Sequence, residues 1–116
     1  MKQEIIDINI QEGIANCGGS EELYKTVLES IVLYVPQRLD HLLACLEQKE
    51  YKEYIIEAHT LKSNAALIGA VGIASQAKEL EYAGKSGEYK VLHKKTSILI
   101  AQFENVLEQI KKPDFC

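Results

Sequence analysis

The stretch Ala58-His59-Thr60-Leu61-Lys62-Ser63-Asn64-Ala65-Ala66-Leu67-Ile68-Gly69-Ala70 decides how this chain reads. It contains no proline, reaches a glycine at position 69 and repeats apolar residues at helical spacing, so it reads as the later part of a helix from about Lys49 or Glu50 to Ile68. Residues three and four apart share a helix face, which sets Lys62 and Ser63 beside His59, with Ala66 and Ala70 further along. An imidazole with an ammonium nearby and little bulk around it is suited to hold a phosphoryl group.

At about 100° per residue this helix divides into three faces. Tyr51, Tyr54, Ala58, Leu61, Ala65 and Ile68 form the core stripe, and Glu53, Glu57, Thr60 and Asn64 form a polar side expected to meet solvent. The third side holds Lys52, Ile55, Ile56, His59, Lys62, Ser63, Ala66 and Ala70. His59 stands about a quarter turn from the core stripe and is expected to be at least partly exposed. Ile55 and Ile56 cannot both be buried. An apolar patch beside a reactive group suggests a surface for docking a protein partner, made of Ile55, Ile56, Ala66 and Ala70. For Ile55, packing against a neighbouring helix is an equally good reading.

Working outward, the rest of the chain is helical in pattern. Asn9 is placed to cap a short helix over Ile10 to Asn16, which Gly18-Gly19 ends. Ser20 caps the next, with Glu21 and Glu22 in its first turn where acids favour the helix dipole. Its stripe reads Leu23, Val27, Ile31, Val35, Leu39, Leu42 and Leu46, and Pro36 predicts a kink or a break. Gly69 and Gly72 bracket a turn before a helix over about Ile73 to Ala83, with Ala74, Ala77 and Leu80 inward. Gly84 and Gly87 bound a loop before a last helix from about Glu88 to Lys111, with the stripe Leu92, Leu99, Phe103, Val106 and Ile110. Pro113 follows, so residues 112–116 are expected to be loose. Short connections between four amphipathic helices predict an all-α fold. The expected form is an up-down antiparallel four-helix bundle with a short N-terminal capping helix, one domain over residues 1–116.

Composition removes several classes of function. The 116 residues carry 13 basic and 17 acidic side chains, a net charge of −4, with no basic block, which disfavours nucleic-acid binding. Charged residues interrupt every apolar run and the N-terminus lacks a signal h-region, so a cytoplasmic chain with no membrane insertion is expected. Cys17, Cys45 and Cys116 form no C-x-x-C pair and read as reduced thiols, with Cys45 a small core residue. There is no Glu-x-x-His motif, zinc spacing, P-loop, dinucleotide fingerprint or G-x-S-x-G, so no cofactor or metal is expected in this chain. His41 lies on an acid-and-apolar helix with no small-residue neighbourhood, and His93, followed by Lys94 and Lys95, reads as part of a solvated face. A lone helical histidine is usually no more than that, and the functional reading of His59 rests on its combination with Lys62 and small residues.

The run A-H-T-L-K-S-N-A-A-L-I-G-A resembles the signature of histidine-containing phosphotransfer (HPt) domains, A-H-x-L-K-G-S followed by small residues and G-A. The stretch Ile14 to Tyr24 resembles that family's lead-in of a short helix, Gly-Gly and an acidic helix start. Ala77-Lys78-Glu79-Leu80-Glu81-Tyr82-Ala83-Gly84 resembles its following helix, so the likeness covers most of the chain. It implies His59 as phosphoryl acceptor, Lys62 as the charge that neutralises the phosphoryl group, and Gly69 as the glycine of a close helix approach or sharp helix end. Glu81 would lie near the imidazole and orient it. Ser63 departs from the family's usual glycine. Its hydroxyl can donate to a phosphoryl oxygen, and the change is expected to tell on transfer rate or partner choice. Asn64 replaces a common serine.

The resemblance implies a phosphorelay intermediate. A receiver domain bearing phospho-aspartate, and its own divalent metal, docks on the His59 face, and neutral imidazole attacks phosphorus through Nε2. The reverse step passes the group to another receiver aspartate, with a hybrid sensor histidine kinase as a further partner. An imidazole of ordinary pKa, about 6.5, is mostly neutral and nucleophilic near pH 7. The chain would be a phosphocarrier with no ATP-dependent kinase activity, an enzyme only in a loose sense, and a monomer. One rival reading is an interaction module that binds a receiver or kinase without accepting phosphate. Another is a purely structural bundle with His59 buried.

Overall fold

Two side chains start the first two helices. Asn9 Oδ1 accepts from the Glu12 amide at 3.0 Å, and Ser20 Oγ accepts from the Leu23 amide at 3.0 Å. Each satisfies a donor that the helix start leaves unpaired. In the computed structural model, which describes residues 8–112 and residue 115, the helices are α1 (Ile10–Asn16), α2 (Glu21–Glu47), α3 (Tyr51–Leu67), α4 (Val71–Lys85) and α5 (Tyr89–Ile110). Residues 113, 114 and 116 of the segment expected to be loose, Cys116 among them, lie outside the described residues.

Four helix ends close in the same way. Gly18, Lys49, Gly69 and Gly87 adopt φ of 70°, 58°, 89° and 75°. The next residue then donates back five positions, from Gly19 to Ile14, Glu50 to Cys45, Ala70 to Ala65 and Glu88 to Ala83, at 2.8 to 2.9 Å. This left-handed cap reverses the chain within a few residues and makes consecutive helices antiparallel neighbours. It also corrects the expected boundaries. The left-handed turns fall at Gly69 and Gly87, so Gly72 and Gly84 lie inside α4.

The long helices form a closed ring: α2 packs on α3, α3 on α4, α4 on α5 and α5 back on α2, while α1 lies across α2 and α3. The all-α bundle with its short N-terminal helix is therefore the fold. Its core joins Tyr24, Leu28, Leu39, Leu42, Tyr54, Leu61, Ile68, Leu80, Leu92, Leu99 and Phe103. One polar pair is buried with them: the Tyr54 hydroxyl meets Thr96 Oγ1 at 2.7 Å, and Thr96 donates to the Leu92 carbonyl at 2.6 Å. No helix among the described residues is long and apolar enough to cross a membrane.

Of the two outcomes expected at Pro36, a kink or a break, the break does not occur, and α2 runs on to Glu47. Pro36 is on the exposed side, while Ile31, Val35 and Leu39 are buried before and after it and hold the turns together through the missing hydrogen bond. Leu23, placed in the buried stripe, is 49% exposed. Tyr24 takes the inward position because its hydroxyl donates to the Ile68 carbonyl at 2.9 Å.

Candidate functional site

The core stripe fixes how α3 is turned. Tyr54, Ala58, Leu61 and Ala65 are fully buried, which leaves His59 on the rim with 56% of its side chain exposed. The end of α3 is held from outside the helix. Asn16 Nδ2 donates to the Ala66 and Leu67 carbonyls at 3.1 and 3.3 Å, Tyr24 to that of Ile68, and the Asn9 amide to that of Gly69 at 2.8 Å. The Ala66 carbonyl also accepts from the Ile68 and Gly69 amides of the closing turn, while those of Leu67, Ile68 and Gly69 lie past the last helical donors and are met from the N-terminal segment. On the other flank α4 comes close because Gly84 has no side chain; a Cβ there would lie 2.8 Å from Ile55 Cγ1.

That close approach brings Glu81 of α4 under His59. Glu81 is buried, and its Oε2 accepts from His59 Nδ1 at 3.0 Å. Lys85 Nζ meets the same oxygen at 3.1 Å, and Lys62 Nζ meets Oε1 at 2.9 Å. The Lys62 contact lacks the angles of a hydrogen bond and is an ion pair. Burial by itself would raise the Glu81 pKa, but Lys62, Lys85 and His59 outweigh it and hold the carboxyl at about 2. A carboxylate facing Nδ1 accepts a hydrogen bond from it and so keeps the single proton of a neutral imidazole on Nδ1, which leaves the lone pair on Nε2. The arrangement is an oriented nucleophile with two ammoniums one carboxylate away.

The expected site residues divide. His59, Lys62 and Glu81 come together, and Ser63 is exposed on the His59 face. Of the expected docking residues, Ile56 is 63% exposed and Ala66 is exposed. Ile55 is half-buried against Gly84, the packing reading, and Ala70 is fully buried where it precedes α4. These two do not belong to an open surface. Sequence reasoning missed Lys85, although its i,i+4 spacing from Glu81 was a usable signal. It also missed Tyr82, which is 56% exposed, with the Lys78 and Lys85 ammoniums each 5.8 Å from its ring centroid.

A second carboxylate overturns an expectation. Glu57, assigned to solvent, is 6% exposed. Its Oε1 accepts from His41 Nδ1 at 2.8 Å and Arg38 Nη1 meets its Oε2 at 3.3 Å, both from α2. Cys45 Sγ lies 3.6 Å from His41 Nε2; burial first, then Glu50, Glu53 and Glu57, push that thiol up. Among the described residues no group of three or more His, Cys, Asp or Glu side chains is placed to hold a metal ion.

The family model for the Hpt domain matches residues 26–112. This chain belongs to the Hpt domain family. Hpt domains act in histidine phosphotransfer in two-component signalling, with receiver domains and kinases as their counterparts. No curated protein and no solved structure matches the chain. The matched region of this Hpt domain begins within α2, so α1, which caps the end of α3, lies before it.

Proposed function

We propose that His59 is the phosphoryl acceptor of this Hpt domain, and that it serves as a phosphorelay intermediate between receiver domains. What carries the reading is the hydrogen bond from His59 Nδ1 to buried Glu81 at 3.0 Å, on a ring with 56% of its side chain exposed. A nucleophile held in one tautomer and open to a partner is what in-line phosphoryl transfer asks of the acceptor; the rest is charge neutralisation.

In the forward step the Nε2 lone pair forms a bond to phosphorus. The bond from phosphorus to the receiver's aspartyl oxygen breaks, and the carboxylate leaves with its electron pair. The reverse step delivers the group to another receiver aspartate. Lys62 and Lys85 bring two positive charges against the one of Glu81, leaving the cluster net positive before the phosphoryl group arrives. Ile56 and Ala66, with Ser63 between the turns, supply the surface that a receiver covers. The receiver brings the divalent metal, and a hybrid sensor histidine kinase stands among the partners. The Hpt domain works as a cytoplasmic monomer and carries no cofactor of its own.

The test mixes a phosphorylated receiver with the wild type and with His59→Gln. Acid-labile, base-stable phosphate is expected on the wild type alone. Label retained by folded His59→Gln overturns the site. A wild type that binds receivers yet takes no label from any of them would make it an interaction module.

A further inference from the structure

The phosphoryl transfer proposed above makes the ring of His59 a cation, and the fate of its second proton decides what happens next. When Nε2 bonds to phosphorus the proton on Nδ1 stays behind, and the ring becomes an imidazolium. If that proton remains, the onward step expels a neutral imidazole. If it is lost to water, the onward step must expel an imidazolate anion, a far poorer leaving group. Whatever holds the Nδ1 proton therefore governs both the lifetime of the phosphohistidine and its readiness to give the group up.

Glu81 is the group in contact with Nδ1, at 3.0 Å. It is buried, so its attraction for a cationic ring is poorly screened by water. The other charges that meet His59 or Glu81 are Lys62 from α3 and Lys85 from α4; among the described residues α1, α2 and α5 bring no ion pair to them. The charge ledger favours the protonated product. One carboxylate and two ammoniums sum to plus one before transfer, and a phosphoryl dianion on a cationic ring brings the cluster to neutral. With a neutral amide at position 81 the two ammoniums would face the ring cation with no negative partner beneath it, and the proton would leave at lower pH.

We infer that Glu81 is a positioning residue that acts through His59 after transfer as well as before it: its carboxylate keeps the Nδ1 proton in place and so keeps the phosphohistidine labile. The inference rests on His59 being the acceptor. It adds that the charge of Glu81, and not only its hydrogen bond, sets the pH range over which this Hpt domain holds or releases phosphate.

Phosphoramidate tests it without a cognate receiver, since the N–P bond of the donor breaks, ammonia leaves and the phosphoryl group passes to Nε2. The ¹⁵N signal of Nδ1 in phosphorylated wild-type protein then reports ring protonation against pH, in the folded protein and in the same sample unfolded in urea. The folded protein is expected to keep the Nδ1 proton to a pH at least about one unit higher, which means an about tenfold larger protonated fraction at alkaline pH. Glu81→Gln, checked for helicity, is expected to close that gap and lengthen the phosphohistidine half-life at pH 8 by about tenfold. Equal titration of folded and unfolded phosphoprotein, or an unchanged half-life in folded Glu81→Gln, overturns the inference and leaves the acceptor assignment standing. Label that fails to reach His59, or that persists in His59→Gln, overturns the assignment itself.

Discussion

The Asn16 amide donates to the carbonyls of both Ala66 and Leu67, so the shortest helix holds the end of the one that carries His59. Asn16→Ala removes both bonds. Asn16 is exposed and water can replace part of what is lost, so the expected cost is about 0.5–1 kcal/mol in urea unfolding. Gly13→Ala should cost more, about 1–3 kcal/mol, because its Cβ would lie 2.7 Å from the Ile68 carbonyl and press on the Tyr24 ring. Equal midpoints for Gly13→Ala and wild type would show that α1 does not brace α3.

Gly69 is required twice over. Its φ is 89°, and a Cβ there would run into the backbone carbonyl of Asn9. Gly69→Ala is expected to destabilise the fold by about 2 kcal/mol or more, part from the strained backbone and part from pushing α1 away. A thermal unfolding midpoint within a degree of wild type would contradict this.

The buried hydroxyl pair predicts an asymmetry. In Tyr54→Phe, Thr96 still donates to the Leu92 carbonyl, so the loss should be about 1 kcal/mol. Thr96→Val strands the Tyr54 hydroxyl in the core, and the expected loss is larger, about 1–3 kcal/mol. Burial pushes the Tyr54 phenol up to about 12 against a smaller opposing pull from Thr96, so phenolate absorbance should show one tyrosine titrating late in the wild type. Reversal of the two mutational costs would refute the assignment of partners.

Acid should weaken the bundle through Glu81. Its carboxyl lies at about 2 folded against an ordinary 4.5, so between those values unfolding takes up a proton. The stabilisation is whole above about pH 4.5 and is lost as pH falls toward 2. It amounts to about 3 kcal/mol. Glu81→Gln should flatten that part of a stability-against-pH curve. A variant curve parallel to wild type below pH 4.5 would remove Glu81 as the cause.

Lys62→Ala should slow transfer by about a hundredfold, the lower end of what loss of one charge-stabilising donor costs. Lys85 and His59 still face Glu81 in that variant, so the bundle should stay folded. Unfolding of Lys62→Ala would mean that the lysine serves the core rather than the phosphoryl group.

Much of the architecture was legible because it is local. Asn9 and Ser20 are capping residues at helix starts, and α1 has the bounds its sequence predicts. The His59 helix has the rotation its apolar spacing implies, with Tyr54, Ala58, Leu61 and Ala65 inside. Misreadings arose where a neighbour decides. Leu23 and Tyr24 are both apolar enough for the stripe, and the Ile68 carbonyl selects Tyr24. Ala70 lies on the His59 side by angle alone, but the chain turns at Gly69 and buries it. Lys49 takes a left-handed turn that no glycine announced.

Helical periodicity, end caps and the small-residue histidine run belong to the sequence by itself, since each depends on residues within a turn or two of one another. The burial of Glu57 and Glu81 belongs to the tertiary structure. A carboxylate enters a core only if cations and donors arrive to meet it. Those of Glu57 come from Arg38 and His41 on α2, and those of Glu81 from His59 and Lys62 on α3 with Lys85 on α4. Spacing along one helix cannot say which acid will find such partners on another. Packing of α3 against its neighbours decides it, and so makes an exposed histidine into an oriented one.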